Sequence, residues 1–182
     1  VTDLTYNISY NANGGSGAPS SQTKYYDKLL SLSSLKPIRT GYTFKGWSTS
    51  STATKASYQS GDNYISNSNV TLYAVWEKIQ YNISYNANGG SGAPSTQSKY
   101  HGSTLTLRSA KPTRTGYIFK GWSTSSTATK ASYQPGDNYT SNSNVTLYAV
   151  WEKIQYNISY DANGGSGAPS DQSKYYDSTI TL

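Results

Sequence analysis

Tyr81-Asn82-Ile83-Ser84-Tyr85-Asn86-Ala87-Asn88-Gly89-Gly90-Ser91-Gly92-Ala93-Pro94-Ser95 decides the fold of this chain, because the same residues stand at 6–20 and, with Asp161 as the one change, at 156–170. The copies are spaced about 75 residues apart both times, and a fixed period of that kind marks an array. Two full units, 6–80 and 81–155, are followed by the opening of a third that runs to Leu182. Most paired positions of the full units are identical, which suits a string of equivalent modules and leaves little room for separate enzymatic roles. The expected division is 1–78 for the first module, 79–153 for the second and 154–182 for a truncated third. Residues 1–5 match the Trp-Glu-Lys-Ile-Gln before each later copy only at Leu4, so the array is expected to begin there.

Within the repeated stretch Tyr81, Ile83, Tyr85 and Ala87 alternate with Asn82, Ser84 and Asn86, the period of a strand with one buried face. Asn88-Gly89-Gly90-Ser91-Gly92 then breaks the chain, since Asn and Gly reach positive φ at little cost. Differences between the units extend the reading. Leu30 and Leu32 recur as Leu105 and Leu107, whereas Leu29, Ser31, Ser33 and Leu35 become Thr104, Thr106, Arg108 and Ala110. That two-residue drift predicts a strand with Leu30 and Leu32 inward. Ser21 and Thr23 change while Gln22 and Lys24 do not, which predicts a short strand before it that turns at 26–28.

Pro37 has no N–H for a ladder and ends that segment, and Thr40-Gly41 supplies a turn. In Gly41-Tyr42-Thr43-Phe44-Lys45-Gly46-Trp47, Tyr42 and Phe44 share a face and Thr43, which becomes Ile118, points outward. Trp47 has the outward parity, but a bulge at Gly46 would swing its indole back to the core. Residues 48–57 read as a loop, with a helical turn at 53–56 left open. Ser60-Gly61-Asp62-Asn63 is a turn, and Val70, Leu72, Ala74 and Trp76 alternate with Thr71, Tyr73 and Val75 in the strongest strand of the unit. In the third copy the inward residues Tyr156, Ile158, Tyr160, Ile180 and Leu182 have no counterparts of Phe44, Trp47, Leu72 or Trp76 within the sequence, so this tail is expected to be the least protected part of the chain.

A domain of about 60 residues buries only ~60% of its unfolded surface, so modules this small need large side chains. The chain carries 19 Tyr, 4 Trp and 2 Phe, and each buried ring removes roughly 150 to 250 Å² from water. There is no cysteine, hence neither a disulfide nor a thiolate metal site. No apolar run approaches the ~18 residues of a helical membrane span. The net charge of +6 is dispersed rather than striped, against a nucleic-acid partner. Low charge with abundant Ser, Thr, Asn and Tyr suggests an extracellular β protein.

Catalysis finds little here. The only histidine, His101, stands where the first unit has Tyr26, and Asp27 becomes Gly102, which leaves Asp62 and Glu77 as a turn former and a linker charge. The glycine loop lacks the Gly-Lys-Ser/Thr of a phosphate loop, and Asp161-Ala162-Asn163-Gly164 lacks the closing carboxylate of a calcium loop. No enzyme, cofactor or metal is therefore expected. Glycosylation sequons, at Asn7, Asn69 and Asn138 among other places, signify little in a chain so rich in Asn and Ser. Exposed aromatics could stack on sugars, with Trp47, Tyr58, Trp122 and Tyr133 as the candidate ligand-binding residues. The competing reading places Trp47, Trp76 and Phe44 in the core.

Taken in order, Asn11-Ala12-Asn13-Gly14-Gly15, Pro37, Arg39-Thr40-Gly41-Tyr42, Gly46-Trp47, Gly61-Asp62 and Leu72-Tyr73-Ala74-Val75-Trp76 recur in both units. Each unit thereby resembles the Listeria/Bacteroides repeat, the internalin B-repeat family. The resemblance implies a mainly β, β-grasp-like module with little or no helix, strung in tandem along bacterial surface proteins and adhesins. It implies display and spacing as the function, a stalk that holds another domain away from the cell wall, and carries over no catalytic residue. The alternative is an adhesion module that binds a host glycan or protein through Tyr and Trp surfaces.

Overall fold

The computed structural model describes residues 4–182, so the start of the array at residues 1–3 lies outside the described residues. No helix occurs among the described residues, and the fold is mainly β, as the sequence predicts. Two compact units divide the chain between Gln80 and Tyr81, and residues 156–182 group with the second.

In the first unit the strands are β1 (Thr5–Asn11), β2 (Gln22–Tyr25), β3 (Leu30–Ser31), β4 (Tyr42–Ser48), β5 (Asn63–Tyr64) and β6 (Val70–Lys78). The main sheet has the order β2-β1-β6-β4, and β3 pairs with β5 beside it. The first and last strands lie parallel at its centre, Ile8 opposite Val70 and Tyr10 opposite Leu72, while β2 and β4 flank them antiparallel. A parallel pair needs a long crossover, and residues 12–69 supply it. The second unit repeats this with β7 (Gln80–Asn86), β8 (Gln97–Tyr100), β9 (Leu105–Thr106), β10 (Tyr117–Ser123), β11 (Asn138–Tyr139) and β12 (Val145–Lys153), in the sheet order β10-β12-β7-β8. It also carries β13 (Gln155–Ile158) and β14 (Gln172–Tyr175), paired only with each other.

The alternation places Ile8, Leu32, Leu72 and Ala74 in the core, the bulge adds Trp47, and Tyr64 joins them without having been read from the sequence. Ile8, Leu32, Trp47, Tyr64, Leu72 and Ala74 are buried together, with Tyr10, Leu30, Phe44, Tyr58, Val70 and Trp76 packed around them, and the second unit repeats the set. Leu29 and Leu35, on the drifting parity, stand exposed. Trp47 sits at the centre with Tyr10 and Phe44 edge-on at 4.9 and 5.0 Å, a geometry that adds about 0.5 to 1.5 kcal/mol per pair beyond area burial. The bulge that brings it there lies between Phe44 and Gly46. Gly46 has φ 124°, and a Cβ on it would meet the Tyr58 carbonyl oxygen at 2.5 Å, so glycine is obligatory on both counts.

Two further features exceed the sequence reading. Val75 has the parity of the polar positions Thr71 and Tyr73, yet it is buried, as is Val150. Beside it the Asn13 amide donates to the Ala74 carbonyl at 3.0 Å and to the Ser51 carbonyl at 2.8 Å, which draws the glycine loop and residues 48–57 over that end of β6. Ser48 ends β4, and residues 49–57 are an irregular run of turns and bends without a helical turn. Lys24 is also buried, with its ammonium donating to Asn67 Oδ1 at 2.7 Å and the Tyr25 carbonyl at 3.1 Å. Those bonds satisfy a charge whose burial would otherwise be costly, and they explain why Lys24 is unchanged as Lys99.

Candidate functional site

Of the four aromatic residues that the sequence offers for ligand binding, Trp47 and Trp122 are buried, and Tyr58 and Tyr133 are half-buried against the core. Trp47 and Trp122 are 0% exposed, so neither presents a ring face to solvent. The main chain of Trp47 exchanges bonds with that of Tyr58, N to O at 2.7 Å and back at 3.0 Å, and Trp122 does the same with Tyr133. Tyr58 tilts against Tyr64 at 5.6 Å and Tyr133 against Tyr139 at 5.8 Å, all part of the core. Sequence and structure thus bring each Trp and Tyr together, but as packing.

No group of three or more His, Asp or Glu side chains that could hold a metal occurs among the described residues. His101 meets Tyr81, its Nδ1 3.1 Å from the hydroxyl and the two rings tilted 6.1 Å apart. Asp62 accepts from the Gln59 N–H at 2.6 Å and so closes its own turn, while Glu77 pairs with Lys45 across β4 and β6 at 3.1 Å. Burial pushes the Tyr10 and Tyr85 hydroxyls above the usual tyrosine range, against the N–H donors of Ser33 and Arg108 that pull them down. Both are shielded packing groups rather than exposed acids.

A concave surface does recur in each module. In the second unit a groove of about 900 Å³ is lined by Gly90, Thr113, Arg114, Tyr117, Phe119 and Trp151, among others. The first unit has the same surface in two parts of about 410 and 530 Å³. Ile38, Arg39 and Thr40 line both parts, and Ile38 is 71% exposed where the second unit has the smaller Thr113.

The local chain explains the groove. Asn13, at φ 48°, and Gly14, at φ 89°, turn the chain after β1, and Ser16 exchanges 2.9 Å main-chain bonds with Ile38. Gly15 cannot carry a side chain, because a Cβ would meet the Trp76 ring at 2.6 Å and the Ile38 carbonyl oxygen at 2.5 Å. The Trp76 indole N–H donates to the Ala12 carbonyl at 2.9 Å and so holds the half-buried ring against the loop. Arg39 lies flat over Tyr42, its guanidinium carbon 3.9 Å from the ring centroid, and Arg114 lies over Tyr117 at 3.8 Å. Sequence reading names Arg39 only as a mark of the repeat and Tyr42 as sharing a face with Phe44. The usable signal was Arg and Tyr three residues apart across a glycine turn, present in both units.

Comparison with known proteins agrees with the architecture. A protein of Evansella cellulosilytica named as a Gly-rich membrane protein is 34% identical over 168 residues, which cover 90% of this chain and 19% of that protein. A second from the same organism, named as a membrane protein, is 32% identical over 176 residues, covering 97% of this chain and 25% of that protein. The chain therefore spans a quarter or less of the length of these relatives. The sequence profile of the Listeria-Bacteroides repeat domain matches residues 6–75 and 81–150, the two closed β modules in register, and the chain belongs to that family.

Proposed function

We propose that this chain is a spacer region of a bacterial surface protein, where repeated modules carry another domain away from the envelope. The observation that supports this most is the reuse of one core: Trp47 and Trp122, the residues most suited to ligand stacking, are both spent on packing in equivalent positions. Conserving a core twice while surface positions drift is what a repeated structural element requires. No helix among the described residues is long and apolar enough to cross a membrane, so in this reading any anchorage comes from elsewhere in the parent protein.

The reading also treats the chain as non-catalytic, in keeping with a repeat family whose shared residues shape turns and core. Its test is structural and functional together. In small-angle scattering, arrays of two, four and six repeats should grow in maximum dimension by a constant increment, near the ~30 Å diameter of a compact 75-residue module. Replacing the array in the parent protein with an unrelated rigid spacer of equal length should preserve surface activity. Loss of that activity with length held constant would overturn the spacer role.

A further inference from the structure

We propose that the stacked arginine of each module, Arg39 or Arg114, is the anion-reading centre of a groove that takes a carboxylated polysaccharide. An arginine guanidinium has N–H donors in one plane, and stacking on a tyrosine ring fixes that plane while leaving its edge available. Arg39 uses one donor, in a long 3.5 Å contact to the Asn13 carbonyl. The ion pairs among the described residues are Lys45 with Glu77 and Lys120 with Glu152, and they involve neither arginine. Both arginines are thus half-buried and stacked on a ring, with no carboxylate partner among the described residues.

The surroundings favour an acidic sugar. No Asp or Glu lines the groove in either module, and Lys36 adds a second cation to the first. Phe44 and Trp76, or Phe119 and Trp151, supply apolar faces for the C–H side of a pyranose. Ser16 and Thr40, or Ser91 and Thr115, bring hydroxyls for its polar edge. A carboxylate accepts two parallel N–H bonds from one guanidinium, which a neutral sugar cannot do. Nucleic acid would instead call for a stripe of cations, and the basic residues here are scattered. Two equivalent grooves on one chain allow a polymer with repeating carboxylates to engage both and gain avidity.

The test uses the full chain with polygalacturonate at low salt, followed by calorimetry and by amide and indole resonances. Shifts should concentrate at residues 14–16 and 38–42, at their counterparts 89–91 and 113–117, and at the indole N–H groups of Trp76 and Trp151. Arg39→Gln with Arg114→Gln should weaken binding about tenfold or more, the loss expected for a charge-assisted contact. Arg39→Lys with Arg114→Lys should also lose affinity, since an ammonium keeps the charge without the fork. Lys55→Gln with Lys130→Gln removes the same charge outside the groove and should matter less than about twofold. The proposal is overturned if that control loses as much as the arginine pair, if neutral dextran or single-stranded DNA binds as well, or if polygalacturonate does not bind. Should an arginine variant fail to fold, the shift map on the unaltered chain decides alone, and none of these outcomes bears on the length test of the spacer.

Discussion

The hairpins β7–β8 and β13–β14 have nearly the same sequence, yet one is the wall of a closed core and the other stands beside a module. Gln155 faces Tyr175 and Ile158 faces Gln172, the pairing that Thr5 to Ile8 make with Tyr25 to Gln22 in the first unit. The Tyr160 hydroxyl donates to Gln172 Oε1 as Tyr85 does to Gln97 Oε1, and Asp161 accepts from the Asn163 N–H at 2.7 Å as Asn86 does from Asn88 at 2.8 Å. What differs is the third party. Ile83, opposite Val145 of β12, is 0% exposed, while Ile158 is only half-buried. Lys99 is buried with bonds to Thr140 and Asn142, whereas Lys174 turns to the nearby Ser178 carbonyl. Local sequence makes the hairpin, and the closing strand makes the core.

The comparison breaks first at the closing strand. Trp151→Ala should cost about 3 to 5 kcal/mol, the range for large aromatic truncations, and urea unfolding of the second module would register it. A loss under ~1 kcal/mol would mean the ring is not holding the loop. In a module this small the expected loss approaches the whole stability, so the variant should be followed at low temperature.

The glycines give a second, sharper contrast. Gly90→Ala drives a Cβ into the Trp151 ring at 2.6 Å and the Thr113 carbonyl oxygen at 2.5 Å, whereas at Gly165 the nearest atom is the Ala162 carbonyl oxygen at 3.2 Å. The first substitution should destabilise by about 1 to 3 kcal/mol or more, as overpacking does, and the second by less than ~1 kcal/mol. Equal losses in thermal melts would show that the glycine is needed for the hairpin itself rather than for its cover.

Hydrogen exchange should separate the hairpins without mutation. Amides of β7 should exchange with the global opening of their module, and those of β13 at least about tenfold faster through local opening. Indistinguishable protection would place β13 in a larger cooperative unit. The smallest effect concerns the tail as a whole. It touches the second module through Tyr176, whose ring fills the space above Gly116 and whose N–H donates to the Ile154 carbonyl at 2.9 Å, and through Lys153 over the Tyr175 ring. Removing residues 156–182 should therefore lower the melting temperature of that module by no more than about 5 °C, the equivalent of under ~1 kcal/mol. A larger drop would show that the hairpin shares in the core.

The repeat, the strand parities and the bulge were legible because each is a local or periodic property. Identical spacing exposes the array, two-residue drift separates Leu30 and Leu32 from their neighbours, and a glycine before a tryptophan of the wrong parity points to a bulge. The groove was less legible, since its parts lie at 14–16, 36–44 and 76, and only their pairing across the sheet brings them to one surface. Likewise the aromatic ligand candidates could not be told from core by composition, because an indole suits either setting.

By itself, then, the sequence determined the module count, the mainly β class, the positions of turns and the inward faces of the strands, all set by backbone preference and hydrophobic period over a few residues. Tertiary structure alone decided that Val75 is covered from the second face, that Lys24 is buried against Asn67, and that Arg39 lies on Tyr42. Those outcomes depend on chain crossovers that join residues tens of positions apart, and a side chain's burial and charge partners are properties of that juxtaposition rather than of its neighbours in sequence.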